Sequence, residues 1–166
     1  MRRTITGLFK SLEQCEQAIL KIDNNGLANN QISVVVKLAP QNDLNYEYAA
    51  EITGENAVEM LHDLDSLLVQ VHDMQLEEVG PAAAGGPLAG ALKQGDKSLA
   101  TCLTYYGVNR DRARYLQKCV ADGYVLTLIE TDNSKANETA NTLNHYGAQR
   151  VEKWSKSIEG PLLPHN

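Results

Sequence analysis

Four cations crowd nine residues of this chain: Arg110, Arg112, Arg114 and Lys118, in RDRARYLQK. A guanidinium offers paired N–H donors that match phosphate and carboxylate oxygens. The cluster can therefore hold an anionic ligand or an acidic partner surface. Three of these arginines fall in the first two turns of the helix that this segment predicts. Cations there oppose the helix dipole, at roughly a few tenths of a kcal/mol each. A bound anion offsets that cost; so does a solvated face on which Asp111 and nearby acids balance the charge. Tyr105 and Tyr106 stand just before the cluster. They can line a pocket beside the arginines or pack as amphipathic side chains at the edge of the core.

A second cluster runs HDLDSLLVQVHD. One continuous helix through it would bring His62, Asp65 and His72 near one face. Two imidazoles and a carboxylate can ligate zinc or iron. A solvated acidic helix face explains the same spacing, and we expect neither metal nor cofactor. The stretch VGPAAAGGPLAGALKQGDKS is rich in glycine and alanine, but it is not a phosphate loop. Lys93 follows no glycine, and no Ser or Thr follows Lys93. Gly80, Pro81, Gly85, Gly86, Pro87 and Gly90 are read as structural. They predict a tight turn and a small-residue helix, with GPLAG spaced for close packing. Cys15 and Cys119 sit on apolar helical stripes, as core thiols do. With no GxSxG and no other nucleophile–base constellation, an enzyme is the weakest of the function classes.

The elements that must carry these residues fall into two similar halves. Residues 4–9 alternate as a strand. SLEQ then has the capping-box form, with Ser11 as N-cap and Gln14 three residues on. Leu12, Cys15, Ala18, Ile19 and Ile22 recur at helical spacing, NNG ends the helix, and QISVVVKL is a strand. Near the C-terminus, YVLTLIET is a strand apolar on both faces and hence central. Asp132 or Asn133 caps a helix carrying Ala136, Ala140, Leu143 and Tyr146, Gly147 ends it, and AQRVEKW is a more polar strand. Two βαβ halves, 4–38 and 123–155, predict an α+β, ferredoxin-like antiparallel sheet with both helices on one face. Between them, 39–122 reads as a large helical, Gly/Ala-rich insertion. Its helices are expected over 57–68, near 99–106, and from an Asn109 cap to Gly123; 69–79 suits strand or helix equally. The whole chain, 1–166, is expected to be one domain with a tail at 156–166.

Composition narrows the partners. The net charge of −6 disfavours phosphate backbones. The third-strand aromatic signature of RNA-recognition modules is missing from YVLTLIET. No apolar run is long enough to span a bilayer. Three cysteines, an odd number without CxxC spacing, suggest reduced thiols and a cytoplasmic location. The two halves alone would leave one sheet face and the sheet edges bare, so a homodimer is expected.

Four segments, in order, resemble a bacterial domain family described as heat-induced or general stress proteins. They are TITGLFKSLEQCEQAILKIDNNGLANNQISVVVK, VGPAAAGGPLAGAL, YYGVNRDRARYLQKCVADGYVLTLIET and ANTLNHYGAQRVEKW. The likeness departs after the YGV turn, where Arg110 and Arg112 replace acidic positions. The resemblance implies a fold and a stress-linked context, and no reaction. The expected function is that of a non-enzymatic stress-response protein acting by self-association or by binding a protein partner. The alternative is a regulatory domain that senses a small anionic ligand where the insertion meets the sheet.

Overall fold

Period-two alternation builds the central strands. In the computed structural model, which describes residues 2–24, 32–38, 72–94 and 98–155, β1 (Arg2–Phe9) sends Ile5 and Phe9 to one face and Leu8 to the other. β2 (Ile32–Lys37) divides Val34 and Val36 from Val35 in the same way. β5 (Val125–Asp132) is buried on both faces, with Val125 and Ile129 opposite Leu126 and Leu128. It is the central strand that its unbroken apolar run predicts. β5 runs antiparallel to both β1 and β2, and the register sets Ile5, Ile129 and Ile32 in one row across the three strands. All three are fully buried. Burying each contributes about 1.5–3 kcal/mol, and the gain requires this register.

The described residues form a mixed α+β structure: six antiparallel strands and five helices. The remaining strands are β3 (His72–Leu76), β4 (Gly80–Gly85) and β6 (Gln149–Ser155). The sheet order is β3-β4-β2-β5-β1-β6. The strands of the two βαβ halves are thus contiguous, as β6-β1-β5-β2, and the inserted β3–β4 hairpin extends the sheet beyond β2.

Two helices cover one face. α1 (Leu12–Asn24) is capped by the Ser11 hydroxyl, which accepts from Gln14 N at 3.2 Å. Its stripe of Leu12, Cys15, Ala18, Ile19 and Ile22 packs with Ala136, Ala140 and Leu143 of α5 (Asn133–His145). The other face lies under three helices of the insertion: α2 (Pro87–Gln94), α3 (Leu99–Thr104) and α4 (Arg110–Ala121). The open sheet face is one of two grounds for expecting a dimer, and the same chain covers that face; the other, the sheet edges, falls on β3 and β6.

The described part of the insertion is not helical throughout: three helices follow a strand hairpin. It opens with this β3–β4 hairpin, and 72–76 is strand. GPAAAG is a strand too, where the sequence reading placed a tight turn and a helix. Gly and Ala are poor strand formers, but this slot sits in a sheet covered on both faces. Ala82, Ala83 and Ala84 are fully buried, and their small size lets helices approach the sheet closely. The tight turn does occur one residue later. Gly86 has φ +94°, and a Cβ there would overlap the Ile32 carbonyl and Ser33. Pro87 then takes the first helical position of α2, where its missing N–H costs nothing. The next free N–H, Leu88 N, donates to the buried Ser33 hydroxyl of β2 at 3.1 Å. The helix expected over 57–68 lies outside the described residues.

Candidate functional site

Rotation of α4 about its axis decides which of its cations can act. Asn109 caps the helix, its side-chain oxygen accepting from Arg112 N at 2.9 Å. Ala113, Leu116 and Val120 turn inward against the sheet. Arg110, Arg114 and Lys118 recur at i, i+4 and i+8 on the exposed side. There they line a cavity of about 860 Å³. Two residues along from Arg110, Arg112 points elsewhere. It binds Glu152 of β6 at 3.0 Å and lies 4.7 Å above the Tyr115 ring, which Arg150 also approaches, at 5.5 Å. Arg112 is a strut between α4 and β6, and the sequence grouping of the three arginines is corrected at that position.

The opposite wall is α3. Leu99, Cys102 and Leu103 are its buried face, which leaves Ser98, Thr101 and Thr104 along the cavity. Ser98 is the N-cap and accepts from Thr101 N at 3.3 Å. Thr104 donates its proton to the Thr101 carbonyl at 2.6 Å, so it offers a ligand only lone pairs. Thr101 keeps its hydroxyl proton, with no partner among the described residues. The two helices are tied at the cavity floor by Gln117, whose Oε1 accepts from Ala100 N at 2.9 Å. Gln117 is only 8% exposed. Its carbonyl is committed, and its amide NH2 has no partner among the described residues. Glu78, on the β3–β4 turn, is the one carboxylate among the described lining residues.

The cleft is therefore rich in donors: three cations against one acid. None of the three cations forms an ion pair among the described residues. Such a lining can hold and orient a multivalent anion. The described lining of the cleft comes from the insertion, and Glu78 brings in the β3–β4 hairpin of the sheet.

The other residues singled out in the sequence fall elsewhere. Tyr105 is 58% exposed and Tyr106 is buried on the sheet side; neither lines the cleft. Burial, with Glu130 and Cys102 nearby, pushes the Tyr106 phenol up to about 12. His72 opens the edge strand β3, its Nδ1 3.4 Å from Lys93 Nζ. No helix carries His72 onto a face with His62 and Asp65, and those two lie outside the described residues. Among the described residues, no group of three or more His, Cys, Asp and Glu side chains is placed to share a metal ion. Gly80, Pro81 and Gly85 belong to β4, Gly86 to the turn, and Pro87 and Gly90 to α2. All three cysteines are buried, and none is in a disulfide. Burial pushes the Cys15 thiol up to about 12, partly countered by its 3.1 Å hydrogen bond with Thr127 Oγ1.

Sequence reasoning missed Ser98, Thr101, Thr104, Gln117 and Glu78, and grouped Arg112 with the other three cations. The signal that separates it was present: Lys118 stands four residues beyond Arg114, whereas Arg112 stands two away. The hydroxyls also carried a signal, at i, i+3 and i+6 beside the apolar face of α3.

Comparison of the chain with protein-family models, with curated proteins and with solved structures finds no match in any of the three. No helix among the described residues is long and apolar enough to cross a membrane.

Proposed function

We propose that this is a non-enzymatic binding protein built on a ferredoxin-like plan, and that its α3–α4 cleft takes a small anionic ligand. The observation that carries the reading is the row of Arg110, Arg114 and Lys118, unpaired among the described residues, which lines one cavity together with Gln117 of the same helix, whose amide NH2 has no partner among the described residues. Cations placed this way repel one another until an anion arrives, so the empty cleft is the less stable state. Binding rather than catalysis is favoured because the described lining contains no histidine, cysteine or paired carboxylate. The ferredoxin-like assignment is supported by the order β6-β1-β5-β2 and by α1 and α5 sharing one face. The likeness to heat-induced and general stress proteins adds a stress-response setting, in which an anionic metabolite is the signal sensed.

Thermal melting tests the reading. At matched ionic strength, pyrophosphate or citrate should raise Tm above the value in chloride. A ligand at a hundredfold its Kd stabilises by about 2.7 kcal/mol, a rise of roughly 5–10 °C for a chain of this size. Equal melting in all three salts would refute it.

A further inference from the structure

We infer that the cleft selects a hydroxyl-bearing small molecule with two phosphates, of the sugar bisphosphate kind, over any ligand with one. The inference rests on the anion-binding reading above and specifies its ligand.

The spacing of the cations is the first reason. Arg110 and Arg114 are one helical turn apart, as are Arg114 and Lys118. Each pair can close on one phosphate, with Arg114 shared between them. Over eight residues the row extends about 12 Å along the helix axis. One phosphate can engage only one of these pairs, and leaves the end cation of the other unused. Two phosphates at the ends of a short carbon chain engage both.

The second reason is the remaining lining. Gln117 is nearly buried, its oxygen is held by Ala100 N, and its NH2 is the group it can offer. Thr101 supplies a hydroxyl from the other wall. Both suit the ester and hydroxyl oxygens between two phosphates. Glu78 is the exception in a lining of donors, and a carboxylate accepts from ligand hydroxyls. An inorganic polyphosphate has no such hydroxyls to give, whereas a phosphorylated polyol does.

The third reason is what the walls lack. The apolar residues of the described lining are two alanines, Ala100 and Ala121, with no aromatic ring. A nucleobase finds no face on which to stack, and stacking is worth about 1–3 kcal/mol per base where it occurs. The cavity of about 860 Å³ is of the size that encloses a small molecule.

Isothermal titration separates this inference from the reading beneath it. The probes are fructose 1,6-bisphosphate, fructose 6-phosphate, ATP and pyrophosphate, at fixed ionic strength. The bisphosphate should bind the wild-type protein at least tenfold more tightly than each of the others. Arg110→Ala and Lys118→Ala should each lower bisphosphate affinity to about that of the monophosphate. Arg114→Ala should weaken both sugar phosphates at least tenfold, and Glu78→Gln should weaken the bisphosphate more than pyrophosphate. Melting curves of each variant confirm that it folds; all four side chains are exposed. Equal affinity for mono- and bisphosphate, both lost in Arg114→Ala, overturns the two-phosphate inference and leaves the anion site standing. Tighter binding of ATP or pyrophosphate than of the bisphosphate overturns the ligand class. Binding of none of the four overturns the inference together with the reading it rests on.

Discussion

The two faces of the sheet do different work. Under α1 and α5, the packing is apolar: Ile5, Phe9, Ile19, Ile32, Val34, Ile129 and Leu143, all buried. The polar contact described there is the Cys15–Thr127 hydrogen bond. Under α2, α3 and α4 the inner layer is just as apolar, but the outer sides of α3 and α4 diverge into a cleft with three cations that are unpaired among the described residues. The βαβ halves supply a frame that needs no ligand to be complete. The insertion supplies a surface on which three cations have no ion pair among the described residues, and under the anion-binding proposal that difference assigns function to the inserted helices.

Substitutions can break that comparison at several levels. The largest loss of stability should come from the frame. Phe9→Ala should destabilise by about 3–5 kcal/mol in urea unfolding, with the anion affinity of the remaining folded protein unchanged. The junction between frame and insertion comes next. Gly86→Ala places a Cβ against the Ile32 carbonyl in a left-handed conformation and should cost about 2–4 kcal/mol. Gly80→Ala has the same strain, φ +95°, but open space around it, and should cost only about 1 kcal/mol. Equal costs at the two glycines would mean that the close approach of α2 is not what position 86 protects.

Two of the three arginines of α4 sharpen the comparison further. Arg114→Ala should change stability by no more than about 0.5 kcal/mol and weaken pyrophosphate binding at least tenfold, about 1.4 kcal/mol. Arg112→Ala removes the Glu152 pair and the contact with Tyr115. It should cost about 1 kcal/mol of stability and leave pyrophosphate affinity unchanged. If both substitutions weaken binding alike, α4 acts as a diffuse basic surface rather than through one face.

The smallest effect at neutral pH belongs to Cys15. Its thiol titrates higher folded than unfolded, because burial disfavours the thiolate. Its contribution is therefore complete below the unfolded value and is lost as pH rises toward about 12. Cys15→Ser keeps a hydrogen-bonding partner for Thr127 without the titration. Between about pH 8 and about pH 10.5, the urea midpoint of the wild-type protein should fall further than that of Cys15→Ser. Parallel midpoints would show that the thiol is not sealed from solvent.

How much of this was legible in the sequence depended on how local the cause was. β1, α1, β2, β5, α5 and β6 could be read because each carries its own period and its own stop. Ser11 and Asn109 could be read as caps because a cap acts within three residues. GPAAAG could not be read as strand. Its conformation is imposed by β2 and β3 on either side and by the helix above it, against its own propensity. The site was half legible. Crowded arginines flagged α4, but which of them face the cleft follows from the burial of Ala113, Leu116 and Val120. Spacing put the α3 hydroxyls on one helix face, but that they and Glu78 meet the cations of α4 follows only from tertiary packing.

The central claim, that the inserted helices carry the binding surface and the βαβ frame does not, can be tested by titrating ¹⁵N-labelled protein with pyrophosphate and mapping amide shifts. The account predicts saturable shifts concentrated in 98–104 and 110–121, with the amides of β1, α1, β5 and α5 unmoved. Shifts centred on the frame, or none at saturating pyrophosphate, would contradict it.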